Sequence, residues 1–188
     1  MEDWTLVVPV RDPRTGKSRL GLGPEVAETI ARRTLDAAGA TARVARLLLV
    51  TDEPCWTVGV AAEVVVERSP GLTVAVRAGL EAAGTDRVAV MLGDVPTLTP
   101  DELEVALAAA DEVRRGMVSD HVGTGTVLIT ALDAATHRPA FGPDSAARHR
   151  AAGYLELPVP ADSGLRLDVD TLEDLRLASA RGRWEQAS

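Results

Sequence analysis

Three aspartates stand where their chemistry and spacing suit a divalent cation. Asp94 follows the apolar run Val90 to Gly93, which is typical of a buried central strand. Asp168 and Asp170 are separated by one residue in a D-V-D-T motif, so an extended backbone would point both carboxylates to one face. Convergent carboxylates favour magnesium or manganese over zinc. The alternative for the second motif is that Asp170 or Thr171 caps the next helix while Asp168 is solvated.

A basic loop follows the first predicted strand. Residues 11–19 contain four cations, among them Lys17 and Arg19. Gly16-Lys17-Ser18 is similar to the end of a Walker A motif, but that motif needs glycine where Arg11 stands, which excludes a P-loop. Lys17 and Arg19 can offset the charge of a triphosphate and of a leaving pyrophosphate. The alternative is a solvated basic turn.

Two later loops offer small polar donors. The segment 140–145 is rich in glycine and proline and ends at Ser145, the predicted N-cap of a helix whose amides could face an anion. The G-T-G-T segment, which ends at Thr126, adds hydroxyls and further amides. Both loops could hold a phosphate or carboxylate, and both could be ordinary turns with ordinary caps.

Composition narrows the classes of function. A chain of 188 residues with 46% hydrophobic residues suits one domain, 1–188, with a real core. A net charge of −8 and 3% aromatic residues argue against a nucleic-acid partner. The single cysteine excludes an intramolecular disulfide and a cysteine-cluster zinc site. With acidic residues at the amino terminus and no apolar run near about 20 residues, we expect a cytoplasmic protein with no membrane partner.

The elements that must position these residues alternate between strand-like and helix-like segments. This alternation predicts a parallel or mixed sheet covered by helices. The predicted strands are Thr5–Val10, Arg46–Thr51, Glu63–Glu67, Arg87–Leu92, Met117–Asp120, Thr126–Thr130 and Tyr154–Val159. The predicted helices are Glu25–Ala38, Leu72–Ala83, Pro100–Val113 and Thr171–Ala180.

Taken in order, the motifs resemble a known family. They are K-S-R-L after the first strand, G-D-x-P at the central strand, G-T-G-T, F-G-P-x-S-x-x-R-H and a late D-V-D-T, and they span nearly the whole chain. This set is similar to the phosphoenolpyruvate or 2-phospholactate guanylyltransferases of coenzyme F-420 biosynthesis. The resemblance implies an α/β fold, a Rossmann-like three-layer domain of nucleotide-diphospho-sugar transferase (GT-A) type with a mostly parallel mixed sheet.

The resemblance also implies roles for single residues. It implies that Asp94, Asp168 and Asp170 bind Mg²⁺ and that Lys17 and Arg19 hold the nucleotide phosphates. It further implies that the phospho-acid acceptor contacts three later residues, which are Thr126, Gly142 and Ser145.

Three positions depart from the family pattern. Thr73 stands in place of an asparagine, Ala146 in place of a larger residue, and Asp144 in place of a glycine. A carboxylate at position 144 would repel an anionic acceptor unless metal or Arg148 compensates.

The expected reaction is attack of an acceptor phosphate oxygen on the α-phosphorus of GTP, with pyrophosphate leaving. Phosphoenolpyruvate is the favoured acceptor, and 2-phospholactate, another phosphorylated acceptor or a non-catalytic nucleotide-sensing module are the alternatives. We expect the base pocket near Val8–Val10 and Arg68–Thr73, and His149 on a helix surface or near a phosphate. A homo-oligomer is compatible with the sequence.

Overall fold

The computed structural model describes residues 3–13, 23–84, 87–181 and 184. Its described residues form a seven-stranded sheet in the order β3-β2-β1-β4-β6-β5-β7. Neighbouring strands are parallel except where β6 pairs with β4 and with β5. The strands are β1 (Trp4–Pro9), β2 (Val44–Thr51), β3 (Glu63–Val66), β4 (Val88–Met91), β5 (Arg115–Ser119), β6 (Thr126–Ala131) and β7 (Leu155–Glu156).

Helices cover both faces of this sheet. Along β1, Leu6 and Val8 pack into one apolar cluster and Val7 into another, as the period of two in a strand requires. The helices are α1 (Pro24–Gly39), α2 (Leu72–Ala83), α3 (Pro100–Ala110), α4 (Ser145–Ala151) and α5 (Leu172–Ala180). Residues of α1 and α3 cover the first face, and residues of α2 and α4 cover the second. The predicted three-layer α/β fold with a mostly parallel mixed sheet is therefore confirmed.

Small residues let the alanine-rich helices approach the sheet closely. In α2, a Cβ atom added to Gly79 would lie 2.2 Å from Cγ1 of Val7. Only glycine permits this separation between helix and strand. None of the described helices is long and apolar enough to cross a membrane.

The predicted elements exist, but some boundaries were wrong. The strand predicted over Tyr154–Val159 is only Leu155–Glu156, because Pro158 and Pro160 have no amide proton for pairing. The helix predicted to reach Val113 ends at Ala110, where the amide of Val113 closes a tighter turn on the Ala110 carbonyl.

Candidate active site

The carboxyl edge of the sheet forms one cleft of about 610 Å³. Asp94 lies directly beyond β4, where a Cβ atom on Gly93 would come within 2.2 Å of Cγ2 of Val10. Glycine at position 93 therefore lets the end of β4 lie against the end of β1. All six predicted site residues that the structure describes line this cleft: Asp94, Thr126, Gly142, Ser145, Asp168 and Asp170. Lys17 and Arg19 lie outside the described residues, and their roles stay predictions.

Backbone hydrogen bonding brings the two acidic motifs together. The amide of Val169 donates to the carbonyl oxygen of Asp94 over 2.9 Å, which joins the D-V-D-T segment to the loop after β4. The residue of this motif that caps the next helix is Thr171. Its hydroxyl accepts from the Asp174 amide at 3.1 Å, and the Asp174 carboxylate accepts from the Thr171 amide at 2.7 Å. Thr171 thus caps the helix, while Asp168 and Asp170 both line the cleft.

Electrostatic repulsion is concentrated at Asp168. Burial, followed by the negative charges of Asp94, Asp170 and Asp120, raises the pKa of this carboxyl to about 8. At neutral pH this carboxyl is mostly protonated unless a bound cation balances the negative charge of its neighbours.

Asp120 is a fourth carboxylate in the cleft that the sequence reasoning missed. It follows β5 and accepts hydrogen bonds from the amides of Gly123, Thr124 and Gly125 at 2.6, 2.9 and 2.9 Å. Of the two interpretations of this loop, the ordinary turn is the one observed for these amides, because the Asp120 carboxylate already accepts from them. An aspartate shortly before a glycine-rich turn was the available signal, since such a side chain commonly bonds the amides that follow.

The loop before α4 also differs from expectation. Asp144, not Ser145, occupies the N-cap position, and Ser145 is the first helical residue. The Ser145 amide donates to Gly142 at 3.1 Å and the Ala146 amide to Thr124 at 3.0 Å, so neither points at a ligand. The Thr126 and Ser145 side chains, both buried at the cleft wall, remain as hydroxyl donors.

Asp144 lies at the mouth of this part of the cleft. Its φ of 54° is the only positive value among the described non-glycine residues, and its side chain makes no capping hydrogen bond. Arg148 donates to the Phe141 carbonyl at 3.1 Å, and no ion pair joins it to Asp144 in the described part of the chain. Compensation of Asp144 by Arg148 is therefore absent from this arrangement.

His149 lies inside the protein rather than on the helix surface expected for it. Its side chain is 0% exposed; Nε2 lies 2.8 Å from the Ala140 amide nitrogen and Nδ1 lies 2.9 Å from Oγ1 of Thr126. Burial is the largest cause that lowers the pKa of His149 to about 4, and electrostatic repulsion from Arg148 and His137 contributes to this shift.

A smaller cavity of about 150 Å³ adjoins the cleft at the ends of β1 and β2. Pro9, Val10, Ser69, Gly71 and Leu72 contribute to its walls. These residues fall in or beside the two segments where the sequence predicts the base pocket.

The carboxylate oxygens of the cleft suit a hard divalent ion, although they do not form a complete metal site by themselves. Among the residues that the structure describes, no three His, Cys, Asp or Glu side chains are arranged to hold a metal by themselves. Magnesium commonly takes one or two carboxylates and completes its shell with water and substrate phosphates. Asp94, Asp168 and Asp170 along one wall therefore fit magnesium in type and charge.

Comparison with known proteins is consistent with this geometry. A family model described as a MobA-like NTP transferase domain matches residues 16–156. The solved structure of 4-diphosphocytidyl-2C-methyl-D-erythritol synthase from Anaerococcus prevotii superposes with a TM-score of 0.65 at 12% identity and covers 97% of each chain. The fold and the acidic cleft thus define a nucleotidyltransferase.

Two relatives give the particular family. The phosphoenolpyruvate guanylyltransferase of Streptomyces coelicolor is 40% identical over 95% of this chain and 91% of its own length. That of Salinispora arenicola is 41% identical over 95% of this chain and 89% of its own length. The chain belongs to the phosphoenolpyruvate guanylyltransferase family, as its motifs predict, and is a guanylyltransferase.

Proposed function

We propose that this protein transfers GMP from GTP to phosphoenolpyruvate, giving enolpyruvoyl-diphosphoguanosine and pyrophosphate. One observation carries the proposal: Asp94, Asp168 and Asp170 share a single cleft with Thr126, Gly142 and Ser145. The substrate in the names of the two relatives supplies the acceptor. A place in coenzyme F-420 biosynthesis stays a prediction from the resemblance.

The reaction needs no nucleophile from the protein. A phosphate oxygen of the acceptor is ionised at neutral pH, forms the new bond to the α-phosphorus of GTP, and pyrophosphate leaves with the electrons of the bond that breaks. Magnesium, when bound, would neutralise the α-phosphate and reduce the repulsion between the two anions. Asp94, Asp168 and Asp170 would hold that ion, and Lys17 and Arg19 would stabilise the leaving group.

The phospho-acid acceptor would lie against the part of the cleft that Thr126 and Ser145 line. Thr126 and Ser145 can each donate a hydrogen bond to an oxygen of the phosphate or carboxylate. Gly142, with a φ of 109°, turns the loop so that no side chain projects at that position. The guanine base would enter the smaller cavity beside β1, where Val10 and Leu72 line both cavities.

Pyrophosphate release by the purified protein tests this proposal. GTP, ATP and CTP would each be combined with phosphoenolpyruvate or 2-phospholactate in the presence of magnesium. We expect release only with GTP plus phosphoenolpyruvate, and its loss in Asp94→Asn. Asp162→Asn, an exposed aspartate outside the cleft, is the matched control and should keep full activity.

Three other results would change the assignment. Release with 2-phospholactate alone would replace the acceptor and leave the transfer intact. Release with another nucleotide would contradict the guanylyl specificity. GTP binding without release for every pair would favour a nucleotide-sensing module.

A further inference from the structure

The hydrogen bonds of His149 assign its proton. The Ala140 amide can only donate, so Nε2 of His149, 2.8 Å away, must accept and carries no proton. The neutral ring then holds its proton on Nδ1, which lies 2.9 Å from Oγ1 of Thr126. An imidazolium ring would place an N–H against the Ala140 N–H. The arrangement therefore requires a neutral ring that donates to Thr126.

The direction of the His149–Thr126 hydrogen bond determines the donor and acceptor roles of the Thr126 hydroxyl. Its oxygen accepts the proton of His149, and in the described part of the chain no group accepts the proton of Thr126 itself. The side chain lines the cleft although only 3% of the residue is exposed. The Thr126 hydroxyl can therefore donate its proton in a hydrogen bond to an oxygen of a ligand in the cleft.

The ring is also fixed in orientation. Phe141 and Tyr154 pack edge-on against it, each with its centroid 5.2 Å from that of His149, at interplanar angles of 75° and 71°. Because the buried ring contacts both aromatic groups, it cannot turn without moving its neighbours.

We propose that His149 is a positioning residue that fixes the Thr126 hydroxyl as a hydrogen-bond donor to the phospho-acid acceptor. The inference rests on the guanylyl transfer proposed above and deepens it at the acceptor side of the same cleft. His149 itself does not touch the acceptor. It acts through the direction of one hydrogen bond.

His137 provides a matched control inside the same protein. It is also buried, with 5% exposure, but it does not line the cleft. Its Nε2 lies 2.9 Å from the Val88 carbonyl, which can only accept, so Nε2 donates there. Burial lowers the pKa of His137 and favours the neutral ring, in which Nδ1 accepts from the Tyr154 hydroxyl at 3.0 Å. The two buried histidines are thus neutral tautomers of opposite kind.

Nuclear magnetic resonance of ¹⁵N-histidine-labelled protein tests the hydrogen bonds without any turnover. The expected spectrum shows His149 protonated on Nδ1 and His137 protonated on Nε2, with assignments from His149→Gln and His137→Gln. A charged His149 ring, or a proton on its Nε2, would overturn the inference.

Kinetics test the consequence for the acceptor. His149→Asn keeps an amide N–H near the place of Nδ1, whereas His149→Gln keeps an acceptor near the place of Nε2 and leaves Thr126 without its donor. His149→Gln should raise the KM for the phospho-acid roughly ten- to a hundredfold, the range of one hydrogen bond to a charged group. The KM for GTP should stay within about threefold, and His149→Asn should restore most of the loss.

The controls separate a positioning role from a structural one. His137→Gln should lower the melting temperature while leaving the KM of the phospho-acid unchanged, and His149→Gln should add little to Thr126→Val, because both remove the same donor. Equal kinetic losses in His149→Asn and His149→Gln, or additive losses with Thr126→Val, would contradict the proposal. Wild-type protein that releases no pyrophosphate with any phospho-acid would refute the proposed function, while the tautomer spectrum is decided independently.

Discussion

Arg166 should be a main source of stability for the acidic side of the cleft. Its side chain, 12% exposed, makes five hydrogen-bond contacts with four protons, because Nη1 has two protons and faces three oxygens. Two go to the carbonyl and hydroxyl oxygens of Ser119 at 2.9 and 2.8 Å, and one goes to the carboxylate of Glu156 at 3.1 Å. The others go to the carbonyls of Pro160 and Val159 at 3.2 and 3.1 Å. Arg166 therefore joins the end of β5 to the chain that leads to Asp168.

The expected cost of Arg166→Met follows from these contacts. At about 0.5–1.5 kcal/mol for each donating proton, the four protons sum to roughly 2–6 kcal/mol. The net loss should be smaller, about 2–4 kcal/mol, because methionine keeps the apolar stem and water can reach some of the freed oxygens. At roughly 2–4 °C per kcal/mol in a chain of this size, the melting temperature should fall by about 4–16 °C.

Urea unfolding and thermal melting measure this loss. Arg150→Met is the matched control, because Arg150 donates one bond to Glu156, at 2.9 Å, and its side chain is 47% exposed. It should cost no more than about 1 kcal/mol. A loss below about 1 kcal/mol in Arg166→Met, or equal losses in the two variants, would refute the reasoning.

The pH dependence gives a second readout of the same contact. Burial alone would raise the pKa of Glu156, but hydrogen bonds from Ser119, Arg166 and Arg150 outweigh burial and lower it. A lowered pKa stabilises the fold above the unfolded value of about 4.3, and the gain is lost as pH falls through the folded pKa. Arg166→Met should show less of this acid dependence than wild type.

Two further predictions concern carboxylates of the cleft. Because the pKa of Asp168 is raised to about 8, the protein without magnesium should lose stability as pH rises from about 4 to about 8. Thermal melts in the presence of a chelator should show this slope in the wild type, and Asp168→Asn should flatten it. Equal slopes in the wild type and in Asp168→Asn would contradict the prediction. Asp144→Gly should stabilise the fold by up to about 1 kcal/mol by relieving the positive φ, and should lower the KM of the anionic acceptor by removing a nearby negative charge. Urea unfolding and acceptor titration measure these two effects, and an unchanged midpoint would argue against strain at this residue.

The features that the sequence predicts correctly are those that depend on a local pattern of residues. Strands β1, β2 and β4 are nearly continuous aliphatic runs between loops, so their existence and burial follow from the sequence pattern. Asp94, Asp168 and Asp170 were found because each follows or occupies an extended segment at the carboxyl edge of the sheet.

The missed features depend on contacts between distant segments. His149 looked like a surface residue because Arg148 and Arg150 flank it, yet its partner Thr126 lies 23 residues earlier on another element. Asp144 was passed over as an N-cap because a left-handed conformation at a residue with a side chain is uncommon. The amides of residues 123–125 looked available because the one signal against it, an aspartate shortly before a glycine-rich turn, shows a tendency of the side chain and not its actual contact.

Different contacts hold the acidic side of the cleft, which contains Asp94, and the acceptor side, which contains Thr126 and the 140–145 loop. This difference affects which substitutions can change the substrate of the site. On the acidic side, the Asp94 carbonyl accepts from Val169 at 2.9 Å, and the amide of Val95 donates to the buried hydroxyl of Thr34 at 3.0 Å. The Thr97 hydroxyl bonds the Gly164 carbonyl at 3.0 Å, so three separate bonds lock the loop after β4 in place. On the acceptor side, one histidine ring bonds both Thr126 and the 140–145 loop. A substitution there could therefore alter the choice of phospho-acid while the aspartates that would hold the metal keep their positions.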